Sequence, residues 1–155
     1  MVLQVGDRAP DFQLEDANST TWQLSKLKGQ RVVLYFYPRD NTPGCTKQAC
    51  GFRDEYTQFT EQEILVFGIS KDDSKSHQKF IDKYQLPFTL LSDPDVKVAT
   101  AYDSYGLKKF MGKESMGIIR NTFVISPTGI IEKIYRKLKP ELHASQILSD
   151  LSLME

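Results

Sequence analysis

YFYPRDNTPGCTKQACGFRDEY, residues 35–56, decides the fold: an apolar strand stops at a proline, and a helix then begins with a cysteine in its first turn. The strand is the end of Arg31 to Tyr37 (RVVLYFY), a continuous β-branched and aromatic run, which predicts a central strand buried on both faces. Pro38 ends it. Thr42-Pro43-Gly44-Cys45 has the grammar of a helix start, with Thr as N-cap, Pro at the first helical position and Cys at the third. Cys45, Ala49, Phe52, Tyr56 and Phe59 recur at spacings of four, three, four and three, so one helix is expected to run to about Glu61 with that face packed.

Outward from this stretch, strands and helices alternate. Ile64 to Ser70 (ILVFGIS) reads as a second buried strand, and Ser74 to Tyr84 as a helix carrying Phe80, Ile81 and Tyr84, stopped before Pro87. A short strand, Phe88 to Leu91, and a helix through Val96 to Tyr102 follow. Asp103 to Gly117, with three glycines and several lysines, is expected to be the least structured segment. Arg120 to Ile125 and Ile130 to Tyr135 flank the hairpin turn Ser126-Pro127-Thr128-Gly129, and Ala144, Ile147, Leu148 and Leu151 give a closing helix its apolar stripe. Before the central strand, Asp11 to Leu14 and Thr21 to Leu24 alternate around a turn at Asp16 to Ser19, an N-terminal β-hairpin laid against the rest. This order is an α/β architecture, a mixed central sheet with helices on both faces, and a thioredoxin-like sheet accommodates it best. His77 and His143 read as solvated helix residues, and Arg53 as a surface contact.

Composition excludes several function classes. The 155 residues, 40% hydrophobic, read as one domain over 1–155, a size that removes roughly 70% of the unfolded surface from water. Lys plus Arg and Asp plus Glu number 20 each, so no global field recruits nucleic acid or anionic membrane. No apolar stretch of signal-peptide length opens the chain and no 18 apolar residues run together, which leads us to expect a cytoplasmic protein, or an organellar one after transit-peptide removal. The two cysteines, five apart, fit neither a secreted disulfide framework nor a zinc site, because zinc wants about four ligands and the nearest histidine is His77. Cysteine used so sparingly favours chemistry over architecture.

Pro38-x-x-x-Thr42-x-x-Cys45 resembles the peroxiredoxin active-site motif, and the fuller YFYPRDNTPGCTKQACGFRD resembles the peroxiredoxin Q branch, also called bacterioferritin comigratory protein. DDSKSHQKFIDKYQLPFTLLSD and Arg120-Asn121-Thr122-Phe123-Val124-Ile125 extend the likeness, which runs from GDRAPDFQL through the closing helix. The resemblance implies a monomeric thiol peroxidase of thioredoxin-like fold that reduces hydrogen peroxide or organic hydroperoxides without metal, haem or flavin. It assigns Cys45 as the peroxidatic cysteine and Cys50 as the resolving cysteine. Thr42, Pro38 and Arg120 complete the pocket, and thioredoxin or a similar dithiol donor reduces the Cys45–Cys50 disulfide.

Elementary chemistry sets what that pocket must do. A free thiol of pKa about 8.5 is about 3% thiolate at pH 7, so full ionisation gains at most about thirtyfold, roughly 2 kcal/mol. A lower pKa also weakens the nucleophile, so other groups must polarise the O–O bond and stabilise the leaving oxygen. The Arg120 fork suits thiolate and peroxide together, and the Thr42 hydroxyl and first-turn amides suit the peroxide oxygens. In a wound helix, residues five apart have Cα atoms roughly 8 to 9 Å apart, beyond the ~7 Å limit of a disulfide, so a Cys45–Cys50 bond requires local unwinding. Pro43-Gly44 and Gly51 are suitably weak helix formers.

Each residue taken singly also has an ordinary reading: Cys45 as a small core residue, Thr-Pro-Gly as a helix start, Arg120 as a strand-end charge, Cys50 as an inert thiol. Their joint occurrence in register favours the chemical one. A rival of another class is a redox-sensing or chaperone module that passes oxidation to a partner, since it needs the same reactive thiolate. A dithiol-disulfide oxidoreductase lacks its expected Cys-x-x-Cys.

Overall fold

The computed structural model describes residues 2–110, 112–136 and 143–153. In chain order the elements are β1 (Gln13–Asp16), β2 (Thr21–Gln23), a 3-10 turn (Leu24–Leu27), β3 (Arg31–Phe36), α1 (Pro43–Asp54), α2 (Tyr56–Glu61), β4 (Ile64–Ser70), α3 (Ser74–Tyr84) and β5 (Thr89–Ser92). Then come α4 (Lys97–Ala101), β6 (Tyr105–Phe110), β7 (Lys113–Ile118), β8 (Asn121–Ile125), β9 (Ile131–Arg136) and α5 (His143–Leu153). A seven-stranded mixed sheet runs β2-β1-β5-β4-β3-β8-β9, with β3, β4 and β5 mutually parallel at its centre. This is the thioredoxin-like α/β arrangement expected from the sequence.

β3 is the axis because both its faces are apolar. Val32, Leu34 and Phe36 point one way, Val33, Tyr35 and then Tyr37 the other, and all six are at most 1% exposed. On the Tyr35 side the sheet is covered by α1, α2, α3 and α5 through Phe52, Phe59, Phe80, Ile147 and Leu151. On the Phe36 side it is covered by α4 and the N-terminal segment, through Ala99, Ala9, Phe12 and Leu24. Gly68 sits opposite Tyr35 in the β3–β4 ladder, and a Cβ there would lie 2.7 Å from both Tyr35 Oη and Leu90 Cδ2. A glycine inside this central strand therefore makes room for the tyrosine ring that crosses it.

Three features depart from the sequence reading. The N-terminal hairpin extends the main sheet, since β1 pairs antiparallel with β5 (Glu15 with Ser92, Asp16 with Leu91). Asp16 shapes its turn, accepting from the Asn18 and Thr20 amides at 2.8 and 2.9 Å and from Trp22 Nε1 at 2.9 Å. The single helix expected to reach Glu61 is broken at Glu55 (φ −99°, ψ 4°), a turn that re-aims α2 so that Phe59 is fully buried while Tyr56 stays half-exposed. The segment expected to be least structured is a two-stranded antiparallel hairpin of β6 and β7, with Leu107 opposite Met116 and Lys108 opposite Ser115. Much of that hairpin faces solvent on both strands, which removes the apolar alternation a strand normally shows. Among the described residues no helix is long and apolar enough to cross a membrane.

Candidate functional site

Cys45 is the third residue of α1, and the buried stripe Cys45, Gln48, Ala49 and Phe52 presses it onto Tyr35 and Tyr37 of the sheet. Its thiol is 1% exposed by residue, so the chemistry depends on what enters beside it. Arg120, immediately before β8, reaches it across the sheet: Nη2 donates to Cys45 Sγ at 3.3 Å, and Nη1 donates to Gln48 Oε1 at 2.6 Å. One guanidinium therefore holds the sulfur and a neutral acceptor one helical turn further along, a fork that fixes its orientation. Gln48 is 1% exposed, and with Oε1 committed to Arg120 its Nε2 has no hydrogen-bond partner among the described residues.

Thr42 takes the backbone conformation of an N-cap (φ −92°, ψ 157°), but its hydroxyl does not cap the helix as the sequence suggested. It donates to the Arg39 carbonyl at 3.1 Å, three residues back, which spends its proton and leaves its lone pairs as acceptors. The first bond of the helix is Thr46 N–H to the Thr42 carbonyl at 2.8 Å. Without a side-chain cap, the Gly44 and Cys45 amides remain outward-directed donors at the positive end of α1. Pro38 lines a cleft of about 660 Å³ beyond the end of β3, with Arg39, Lys71 and Asp72 on its side and Tyr105, Lys108, Ser115, Gly117 and Ile118 of the hairpin opposite. A smaller pocket of about 90 Å³, between Ala9, Leu24, Val32 and Ile125, lies at the other end of β3, away from the cysteines.

Cys50 is half-buried in the same helix, and both cysteines are free thiols. α1 is continuously wound from Pro43 to Asp54, so the two lie at helical separation, too far apart to bond. The structure thus brings Cys45 and Arg120 into contact, places Pro38 and Thr42 on the loop beside them, and holds Cys50 apart.

Further residues belong to this neighbourhood. Gln48, at i+3 from Cys45, was legible as a polar residue on an apolar face. Lys108 lies over the cleft with Nζ donating to the Ile118 carbonyl at 2.9 Å, its stem resting where Gly117 lacks a Cβ. Burial and then the Arg120 charge push its ammonium pKa down, with Cys45 acting in the opposite sense. His77 corrects the sequence reading: it is fully buried, not solvated, and it meets the buried Asp40, with Nδ1 to Oδ2 at 2.8 Å. His143 opens α5, and its side chain lies outside the described residues. Tyr35, beneath α1, is held neutral well above the ordinary phenol range by burial first and by the neighbouring Cys45 and Asp40 second.

Comparison with known proteins gives a uniform answer. The family model described as AhpC/TSA family matches residues 5–134. The chain is 45% identical over 154 residues to "Peroxiredoxin Bcp" of Bacillus subtilis, covering 99% of this chain and 98% of that protein. Among solved structures it is similar to a PrxQ mutant of Xylella fastidiosa, with a TM-score of 0.93 at 34% identity over 99% of this chain and 98% of that one. It is also similar to the bacterioferritin comigratory protein of Xanthomonas campestris, solved in a study of that protein's alkyl peroxide reduction activity, with a TM-score of 0.89, 34% identity and the same coverage.

Proposed function

The chain belongs to the AhpC/TSA family and is a peroxiredoxin-type peroxidase, and from that premise we propose that Cys45 reduces hydrogen peroxide and organic hydroperoxides in a cycle resolved by Cys50. The observation that carries the assignment is the Arg120 fork, 3.3 Å from Cys45 Sγ and 2.6 Å from Gln48 Oε1. It supplies a fixed positive charge where sulfur must be anionic and where the leaving oxygen gains charge.

In the first step the Cys45 thiolate attacks the distal peroxide oxygen. The S–O bond forms, the O–O bond breaks, sulfur gives up two electrons, and the departing oxygen takes a proton to leave as water or alcohol. The Gly44 and Cys45 amides and Arg120 donate to the peroxide oxygens. Thr42, whose own proton is committed to Arg39, accepts from the peroxide O–H and so orients it. Pro38 offers no N–H and shields the sulfur from water. In the second step the Cys50 sulfur attacks the Cys45 sulfenic acid, the S–S bond forms and water leaves. A thioredoxin-like dithiol then exchanges with the disulfide, becoming oxidised as both cysteines return to thiols.

The second step requires the first turns of α1 to unwind. Phe52, fully buried and stacked on Tyr35 at 4.7 Å, is the natural end of the moving segment. Loss of amide-exchange protection around Thr42 to Arg53 on oxidation is the expected signature. The test is peroxide consumption with excess thioredoxin and its reductase by wild type, Cys45→Ser and Cys50→Ser, with intact mass recorded after oxidation. Turnover by wild type, its loss in Cys45→Ser and a two-proton mass decrease on wild-type oxidation are expected. One stoichiometric oxidation without turnover would overturn the peroxidase reading in favour of a sensor, and turnover surviving in Cys50→Ser would mean that an external thiol resolves Cys45. The cycle is expected to run in the cytoplasm with the chain as a monomer.

A further inference from the structure

The loop that carries Pro38 and Thr42 is fastened at Asp40, where the fastening is buried, and beside it at the surface, where Tyr84 Oη donates to Asn41 Oδ1 at 3.0 Å. Asp40 is 8% exposed and its carboxylate takes three contacts: Tyr37 Oη donates to Oδ1 at 2.6 Å, Ser76 Oγ donates to Oδ2 at 2.8 Å, and His77 Nδ1 meets Oδ2 at 2.8 Å. Its amide donates to Asp72 Oδ2 at 2.8 Å, and Ser70 Oγ donates to the same oxygen at 2.7 Å. His77 Nε2 faces the Leu91 carbonyl of β5 at 3.1 Å. Nε2 donates to that carbonyl, and the side-chain polar atoms of the buried pair all have partners.

Every partner in this network comes from the end of β3, the segment after β4, α3 or β5. None comes from Pro43–Asp54. α3 is in turn fixed through its Asp73 cap on the Ser76 amide at 2.9 Å and through buried Phe80, and the hydrogen bond it takes from α1, Arg53 Nη1 to the Tyr84 carbonyl at 2.9 Å, comes from beyond Phe52, past the turns that unwind. Cys45 is five residues on from Asp40, enough chain to carry its Cα up to about 17 Å away while Asp40 stays in place. Asn41, next after the anchor, turns the chain with a positive φ of 59°, a conformation asparagine adopts more readily than most residues.

We propose that Asp40 and His77 are positioning residues for the peroxide reaction: they hold the Pro38 to Thr42 loop at Cys45 and stay fixed as the hinge post while α1 unwinds. Loosening the pair then misplaces Pro38 and Thr42 and slows the attack on peroxide, while leaving disulfide formation unaffected because the network persists in both states. A residue that merely held the fold together would slow the two steps alike.

This inference rests on the two-step reading above, and single-turnover kinetics separate the two. With wild type mixed with hydrogen peroxide, the peroxide-dependent oxidation of Cys45 and the peroxide-independent disulfide step are followed by rapid acid quench and mass. Absence of either phase in wild type would be a failure of that reading, seen before any variant is made. In Asp40→Ala, which takes away the carboxylate that Tyr37, Ser76 and His77 share, the second-order constant should fall roughly tenfold or more while the first-order constant stays within about twofold. Ser76→Ala removes one donor only and should show the same pattern at about threefold, which decides the matter if Asp40→Ala does not fold. Equal slowing of both constants, a faster disulfide step, or an unchanged peroxide constant would each overturn the proposal.

Discussion

The Tyr35 hydroxyl offers a one-atom test of the packing beneath α1. The side chain is 1% exposed, its ring stacks on Phe52 at 4.7 Å, and its oxygen has no hydrogen-bond partner among the described residues. In the unfolded chain that hydroxyl is hydrated, so folding strips it and returns nothing, a penalty of about 1–3 kcal/mol. Tyr35→Phe keeps the ring, its stacking and its fit over Gly68, and removes only the orphaned group. Taking about 2 kcal/mol as the gain, the melting temperature should rise by about 4 to 8 °C in a domain of this size. The consequence reaches the chemistry, because Tyr35 lies under the helix that carries both cysteines. Unwinding readmits water to the hydroxyl in the wild type, and the variant forgoes that relief. Disulfide formation should therefore slow by up to about thirtyfold, with the peroxide step unchanged. Calorimetry and acid-quench mass on the same preparation measure both. A melting temperature equal to or below wild type would refute the argument.

Three other outcomes are expected. Gly68→Ala places a Cβ 2.7 Å from Tyr35 and Leu90 and should cost about 2 kcal/mol in urea unfolding; an unchanged midpoint would show that the strand relaxes freely. Arg120→Lys keeps the charge but cannot hold Cys45 and Gln48 together, and kcat/KM for hydrogen peroxide should fall by roughly tenfold or more; equal turnover would make fork geometry irrelevant. Burial raises the phenol pKa of Tyr35, Tyr37 and Tyr102 above the ordinary 10.0. The fold thus favours the protonated phenols, and their stabilisation is complete below about pH 10 and lost as pH rises further, at up to about 4 kcal/mol per pH unit for the three. Tyr135 is raised in the same direction, so urea midpoints at successive alkaline pH values measure a combined slope, which Tyr102→Phe should reduce by about a quarter to a third.

Local pattern carried much of the architecture. Ile64–Ser70 and Ser74–Tyr84 have the bounds their composition suggests, and β3 is buried on both faces as an unbroken apolar run must be. The Cys45 and Arg120 pair was legible only through family likeness, because 75 residues separate them and no periodicity links a helix start to a distant strand end. His77 is instructive: its spacing of three to Phe80 and seven to Tyr84 puts it on the inner stripe of α3, yet its polarity suggested solvent. What decides its burial is Asp40, 37 residues earlier, a partner that local reading cannot see. The β6–β7 hairpin was hidden for the opposite reason, since pairing between Lys-rich and Gly-containing strands depends on backbone bonds and leaves little side-chain signature.

The outer margin of the large sheet bears on how such a chain survives its own work. Removing the first turns of α1 uncovers aromatic surface around Tyr35, and crowded molecules in that condition are at risk of adhering through any open strand. β5, with Leu90 and Leu91 wholly buried, would offer such a strand were β1 not laid along it. Beyond β1 there is only β2, three residues long and turned off at once by Leu24–Leu27, too short to template another chain. The N-terminal hairpin thus acts as a selvage: it finishes the weave on that side, so that the proposed opening of the helix need not lead to aggregation.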